Sequence, residues 1–211
     1  PVMPSPGQRA AVRRRSEAGE ETNIRYLNVH EDPDGIIRRV PQTFAVEGGR
    51  LPSMSVELAA RALGAPPMID ADGGVALAGY RIPSVVANTL TLNFKGGSKD
   101  IPTYSLADLR ACLDAGNADY FKAQFAGKVV LVGTVLDLED RKLTSKRFAT
   151  DREAIAVARC ALPVPATAPY ARDAIAGVYI HATAVNNLLD RNALAELPRV
   201  AVWGEIGRAH V

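Results

Sequence analysis

The stretch Phe125–Asp140, FAGKVVLVGTVLDLED, decides how the rest of the chain is read. Val129, Val130, Leu131 and Val132 form an apolar, largely β-branched run that is too short for a helix and is bracketed by Gly127 and Gly133. That pattern predicts a central strand buried on both faces. In open α/β sheets the ligand-facing loops leave the carboxyl ends of such strands, so Gly133, Thr134 and the acidic loop ending at Asp140 are expected to border a site. A strand and a turn with no further role would give the same letters.

Upstream, Asn23–Val29 (NIRYLNV) sets Ile24 and Tyr26 against Arg25, Leu27 and Val29, a strand partly buried on both faces. His30–Gly35 (HEDPDG) reads as a tight turn, because proline fixes φ, aspartate bonds its own backbone and glycine tolerates positive φ. The turn contains Asp-x-Asp-Gly. Aligning Gly35 with the obligatory glycine of a calcium loop nevertheless puts His30 and Pro41 at the first and last ligand positions, where Asp and Glu are needed, so no metal is assigned. Strands resume over Ile36–Val40 and Thr43–Val46 around Pro41 as a hairpin or meander. Pro52 and Ser53 open a helix whose stripe Val56, Ala59, Ala60 and Leu63 faces the core and which Gly64 stops. Ala65–Gly79 is expected to be a surface loop with a short hairpin.

Thr89–Lys95 (TLTLNFK) alternates cleanly and places Leu90, Leu92 and Phe94 in the core. Gly96–Lys99 has the letters of a phosphate loop, but it lacks the first glycine and its lysine follows the serine, so it reads as a turn. Ser105 caps a helix with Leu106, Leu109 and Leu113 inward, ending at Ala115-Gly116-Asn117, and a second short helix covers Tyr120–Phe125. Beyond Asp140, Arg141–Arg147 reads as a basic loop, followed by a short helix over Arg152–Ala161 and the proline-rich Pro163–Pro169. The last helix begins after Gly177 and carries Ile180, Ala184, Val185, Leu188 and Leu189, with His181 and Asn187 as its polar members. A histidine beside an apolar stripe is more often a hydrogen-bonded structural residue than a ligand.

Composition excludes several classes. With 47% hydrophobic and 23% charged residues the chain is globular, neither disordered nor a coiled coil. Arg9, Arg13, Arg14 and Arg15 crowd the start beside Pro4, Pro6 and Gly7, which reads as a solvated arm over residues 1–22, and no nucleic-acid footprint extends past it. Cys112 and Cys160 form either one disulfide or two buried thiols, and the reading favours two free thiols. Their spacing matches no zinc site. Neither G-x-S-x-G nor H-E-x-x-H is present, so no residue is assigned as catalytic and no cofactor is implied. The expected architecture is a single α/β domain over residues 23–197, a mixed sheet with flanking helices, incomplete at its N-terminus in a piece of a longer protein. Glu205–Val211 (EIGRAHV) resembles a translated sequencing adapter and is set aside.

Four blocks in this order, NIRYLNVHEDPDGIIRRVP, TLTLNFKGG with IPTYSLADL, FAGKVVLVGTVLDLEDRKLTS and GVYIHATAVNNLLD, resemble the CHASE type 2 domain over about Asn23–Asp190. The resemblance implies an extracytoplasmic sensory module of a bacterial membrane receptor. An adenylate or guanylate cyclase, a histidine kinase or a serine/threonine kinase would lie inside the cell. It also implies membrane helices on both flanks, with residues 198–204 as the start of one, and an N-terminal half of the family that is absent before Pro1. Val135–Glu139 stands where relatives are small and glycine-rich, while Asp140-Arg141 keeps the family's Asp-Arg pair. A sensor would take an unidentified small-molecule ligand at Gly133, Thr134, Asp140, Arg141 and His181, in a receptor that acts as a homodimer. The alternatives are a structural dimerisation module and a hydrolase-like enzyme on the same frame.

Overall fold

The computed structural model of the chain describes residues 13–16, 19–22, 25–95, 101–116, 118–134, 140–148 and 172–196. The expectations for Gly96–Lys99, Arg152–Ala161, Pro163–Pro169 and residues 198–211 lie outside them. The strands are β1 (Arg13–Ser16), β2 (Gly19–Thr22), β3 (Ile36–Ile37), β4 (Arg39–Pro41), β5 (Thr43–Val46), β6 (Gly49–Pro52), β7 (Met68–Ile69), β8 (Val75–Leu77), β9 (Tyr80–Arg81), β10 (Thr89–Thr91), β11 (Arg141–Phe148) and β12 (Arg172–Ala176). The helices are α1 (Met54–Leu63), α2 (Leu106–Asp114), α3 (Ala118–Phe125) and α4 (Gly177–Leu189). The fold is α/β with mixed pairing, since β11 runs parallel to β3 and antiparallel to β12 while the other ladders are antiparallel.

The local signals at α1 act as expected. Ser53 Oγ accepts from the Val56 amide at 3.4 Å, and Gly64 closes the helix in the left-handed region at φ 63°. At the first turn, the Gly35 amide donates to the Asp32 carbonyl at 2.8 Å and the Ile36 amide donates to Asp34 Oδ1 at 3.1 Å. The two acidic side chains there are engaged by Arg38, which donates to Asp32 at 2.9 Å and to Asp34 at 2.7 Å. The core joins Ile37, Val40, Val56, Ala59, Leu77, Leu90, Leu92, Phe94, Ile175, Ile180, Ala184 and Leu188, and α1 packs against α4.

Several expectations are corrected. Val129–Val132 forms no strand, and Val130 and Val132 are 53% and 84% exposed. The middle of the mixed sheet belongs instead to β11, the segment read as a basic loop. Leu143 and Thr144 pair with Ile36 and Ile37 on one side, while Arg141, Lys142 and Leu143 pair with residues 174–176 on the other. Residues 25–29 are not a strand either, because the Tyr26 carbonyl accepts from the Met54 amide and Arg25 faces Glu57 at 3.4 Å. On α2 the expected inner face is turned outward, with Leu106 and Leu113 exposed and Cys112 buried. Cys112 is disulfide-bonded, which corrects the expectation of free thiols, and Cys160 lies outside the described residues. Within Ala65–Gly79 the expected short hairpin forms as β7–β8, extended by β9 into a meander, but Val75 and Leu77 are fully buried core residues and not part of a surface loop. The arm expected to be irregular carries the antiparallel pair β1–β2.

Sheets this small are held to one another by buried amide side chains in place of ladder rungs. Gln42, wholly buried, donates from Nε2 to the Thr89 carbonyl at 2.6 Å and accepts at Oε1 from the Val75 amide at 2.7 Å, joining β10 to β8. Asn187 ties α4 in the same manner to the backbone of Asn93, just past β10, accepting from its amide at 2.8 Å and donating to its carbonyl at 3.2 Å. Gln42→Met removes the side-chain donor and acceptor of both bonds while keeping most of the volume. It leaves the buried Val75 amide and the half-buried Thr89 carbonyl without this partner at about 1–3 kcal/mol each, so unfolding free energy is expected to fall by about 2–6 kcal/mol in a denaturant titration. A loss under about 0.5 kcal/mol would show that Gln42 does not stitch the sheets.

Candidate functional site

Strand β12 runs straight into α4: Ala176 closes the strand, and Gly177 is the first helical residue. A helix N-terminus leaves its first amides without intrahelical partners, and alanine at the capping position has no side chain to offer. Asp140, at the start of β11, takes that role from another part of the chain. The Gly177 amide donates to both the Asp140 carbonyl and Asp140 Oδ2, each at 3.0 Å. To present both acceptors, Asp140 sits at φ 50°, a conformation costly for a residue with a Cβ. Glycine at 177 is equally constrained, since a Cβ there would lie 2.9 Å from the Asp140 carboxylate carbon.

Other expected residues gather around the same helix end. Gly133 faces the first turn of α4, where a Cβ would lie 2.7 Å from Val178 Cγ2. His181 stands one turn along the helix, 8% exposed. Burial pushes its imidazole below the ordinary range, while the Asp140 charge and a hydrogen bond to the Leu27 backbone pull it back up. Arg141 is partly buried opposite Ala176, and its charge acts on the buried Tyr179. The Tyr179 hydroxyl, buried without a hydrogen-bond partner among the described residues, is pushed up by burial, opposed by the nearby Thr103 side chain and by the Arg141 charge. Thr134 is exposed beside Gly133 and takes no part in this arrangement among the described residues. Gly133, Asp140, Arg141 and His181 thus converge on the first turns of α4, but at the end of β12 and not above a Val129–Val132 strand.

Sequence reasoning missed Tyr179, Thr103 and the capping role of Asp140. Alanine before Gly177, with no Ser, Thr, Asp or Asn at the cap, was the available sign that a cap must come from elsewhere. Among the described residues no cluster of His, Cys, Asp and Glu is arranged to hold a metal ion. The junction binds a helix end to a sheet and buries one titratable imidazole beneath it.

A family model described as CHASE2 domain matches residues 4–209, nearly the whole chain. The chain belongs to the CHASE2 family. CHASE2 domains are extracytoplasmic sensory parts of membrane receptors and are not catalytic. The match is wider than the Asn23–Asp190 span of the four sequence blocks. No curated protein and no solved structure matches the chain. A disulfide at Cys112 accords with the oxidising space outside the cytoplasm. Among the described residues no helix is long and apolar enough to cross a membrane.

The direction of the His181 shift gives a pH dependence. The folded state holds the imidazole below its unfolded value of about 6.5, so the unfolded chain takes up the proton first as pH falls. The stability that this group contributes is present above about pH 6.5 and is lost as pH falls from there through the folded value. Denaturation midpoints are expected to decline across that window in the wild type and to decline less in His181→Gln; equal slopes in the two proteins would place the imidazole in water.

Proposed function

We propose that this CHASE2 domain is the ligand-sensing part of a bacterial membrane receptor and relays occupancy through α4 to a cytoplasmic output domain, a cyclase or a protein kinase. The reading is carried by the convergence of Gly133, Asp140, Arg141 and His181, from separate stretches of sequence, on one end of a helix that runs through the core. A small molecule that engaged Asp140 or Arg141 would compete for the groups that hold that helix end, and so bias one arrangement of the helix against another. The far end of α4 is tied by Asn187 to Asn93 and Asn192, so a displacement at Gly177 is passed along a packed element of about 20 Å.

A second reading, a dimerisation module without a ligand, is favoured by the apolar side chains turned outward at Leu106, Leu113, Val130 and Val132. Output measured in the full-length receptor separates the two. Asp140→Asn and Arg141→Gln are expected to change basal output or ligand midpoint by about 5- to 150-fold, the usual range of coupling energies, with the melting temperature little changed. Unchanged output from both variants would leave the sensor reading without a site, and loss of dimers on Leu106→Glu with signalling lost in step would support the second.

A further inference from the structure

A second feature lies away from α4, on the β5–β6 hairpin where it meets the turn between β7 and β8. An open depression of about 540 Å³ is lined by Ala45, Gly49, Arg50, Ile69, Asp70 and Ala71. That volume is in the range of small-ligand sites. Its cation is Arg50, partly buried, with no carboxylate partner among the described residues. A guanidinium offers five N–H donors. Arg50 directs one of them, from Nη1, to Thr43 Oγ1 at 3.2 Å.

The surroundings fix that guanidinium in place. Thr43 is 1% exposed, and its hydroxyl donates to Asn88 Oδ1 at 2.7 Å, which leaves a lone pair aimed at Arg50. Gly73 closes from the other side, at φ 87°, where a Cβ would stand 2.6 Å from Arg50 Nη1. The Asp70–Gly74 turn that carries it is locked by the Asp70 and Gly73 amides, at 2.9 and 3.0 Å to the Gly74 and Asp70 carbonyls. Nearby carboxylates are committed elsewhere: Asp70 pairs with Arg81, and Asp72 accepts from the Gly74 amide at 3.1 Å. Arg50, Arg81, Asp70 and Asp72 sum to no net charge, and with Asp70 paired to Arg81 and Asp72 turned to its own turn the Arg50 guanidinium is left without a carboxylate beside the apolar surface of Ala45, Ile69 and Ala71.

We propose that this depression binds a small organic monoanion, a carboxylate on an apolar body, through the fork of Arg50. An arginine held by its neighbours and short of acceptors is preorganised for bidentate carboxylate recognition, because the ordering of the side chain has already been met in the free protein. The proposal concerns a different surface from α4 and does not depend on the receptor reading.

The test is a residue-resolved amide titration of the full chain with benzoate, with benzamide as the neutral isostere and with inorganic phosphate. Benzoate is expected to shift the amides of Arg50, Ile69, Ala71 and Gly73 saturably, with benzamide and phosphate far weaker. Arg50→Gln is expected to abolish those shifts. Arg81→Gln, at an exposed position, leaves the Asp70 charge unneutralised and should weaken benzoate by about two- to five-fold, the scale of one surface ion pair. Should Arg50→Gln fail to fold, the benzoate–benzamide comparison and Arg81→Gln decide. Shifts equal for benzoate and benzamide, phosphate as strong as benzoate, shifts retained in a folded Arg50→Gln, or no saturable shifts at all would each overturn the proposal.

Discussion

One amide, that of Gly177, holds the arrangement together. It is where β12 ends, where α4 begins and where Asp140 reaches over from the start of β11 with two acceptors at 3.0 Å. The left-handed backbone at Asp140 costs about 1–2 kcal/mol. A carboxylate at a helix N-terminus returns about 0.3–1 kcal/mol at an exposed site and up to about 2 kcal/mol where partly buried. The junction is therefore near balance on local terms, and the β11 ladders to β3 and β12 keep Asp140 in register. Without that pairing, the first turn of α4 would have neither its cap nor the groups around His181.

The opposite end of α4 is fixed by a different chemistry. After Leu189 the chain returns along β10: the Leu194 amide donates to the Thr91 carbonyl at 3.1 Å, and Arg39 grips Glu196 with two bonds of 2.6 and 2.7 Å. Arg39 lowers the Glu196 carboxyl below the usual range, so the clasp is charged at neutral pH. A helix held at one end by a single capped amide and at the other by a bidentate ion pair and buried asparagine is asymmetric in strength. Motion is expected to begin where the bonds are fewest, at Gly177, which is also where the candidate site residues meet.

Much of the framework was legible because its signals are local. Ser53, Gly64 and the stripe between them specify α1; Leu90, Leu92 and Phe94 alternate as a core strand edge; the apolar face of α4 reads directly from its spacing. What could not be read depends on partners far away in sequence. Val129–Val132 has the composition of a buried strand but no neighbouring ladder, whereas Arg141–Phe148 has the composition of a loop and two ladders to join. Cross-strand pairing, not side-chain character, decided between them. The same cause hid Gln42, whose neighbours on β8 and β10 lie more than thirty residues away. Four of the five candidate residues meet at the first turns of α4; Gly133 does so although the strand it was tied to is absent, while Thr134, tied to the same strand, is exposed beside it.

Residue-resolved hydrogen exchange at Gly177 bears most directly on this account. A junction closed by two Asp140 acceptors should protect the Gly177 amide well above a free loop amide, and Asp140→Ala should release it while Ile180–Leu188 stay protected. An unprotected Gly177 amide in the wild type, with the interior of α4 fully protected, would contradict the claim that Asp140 fastens the sheet to the helix.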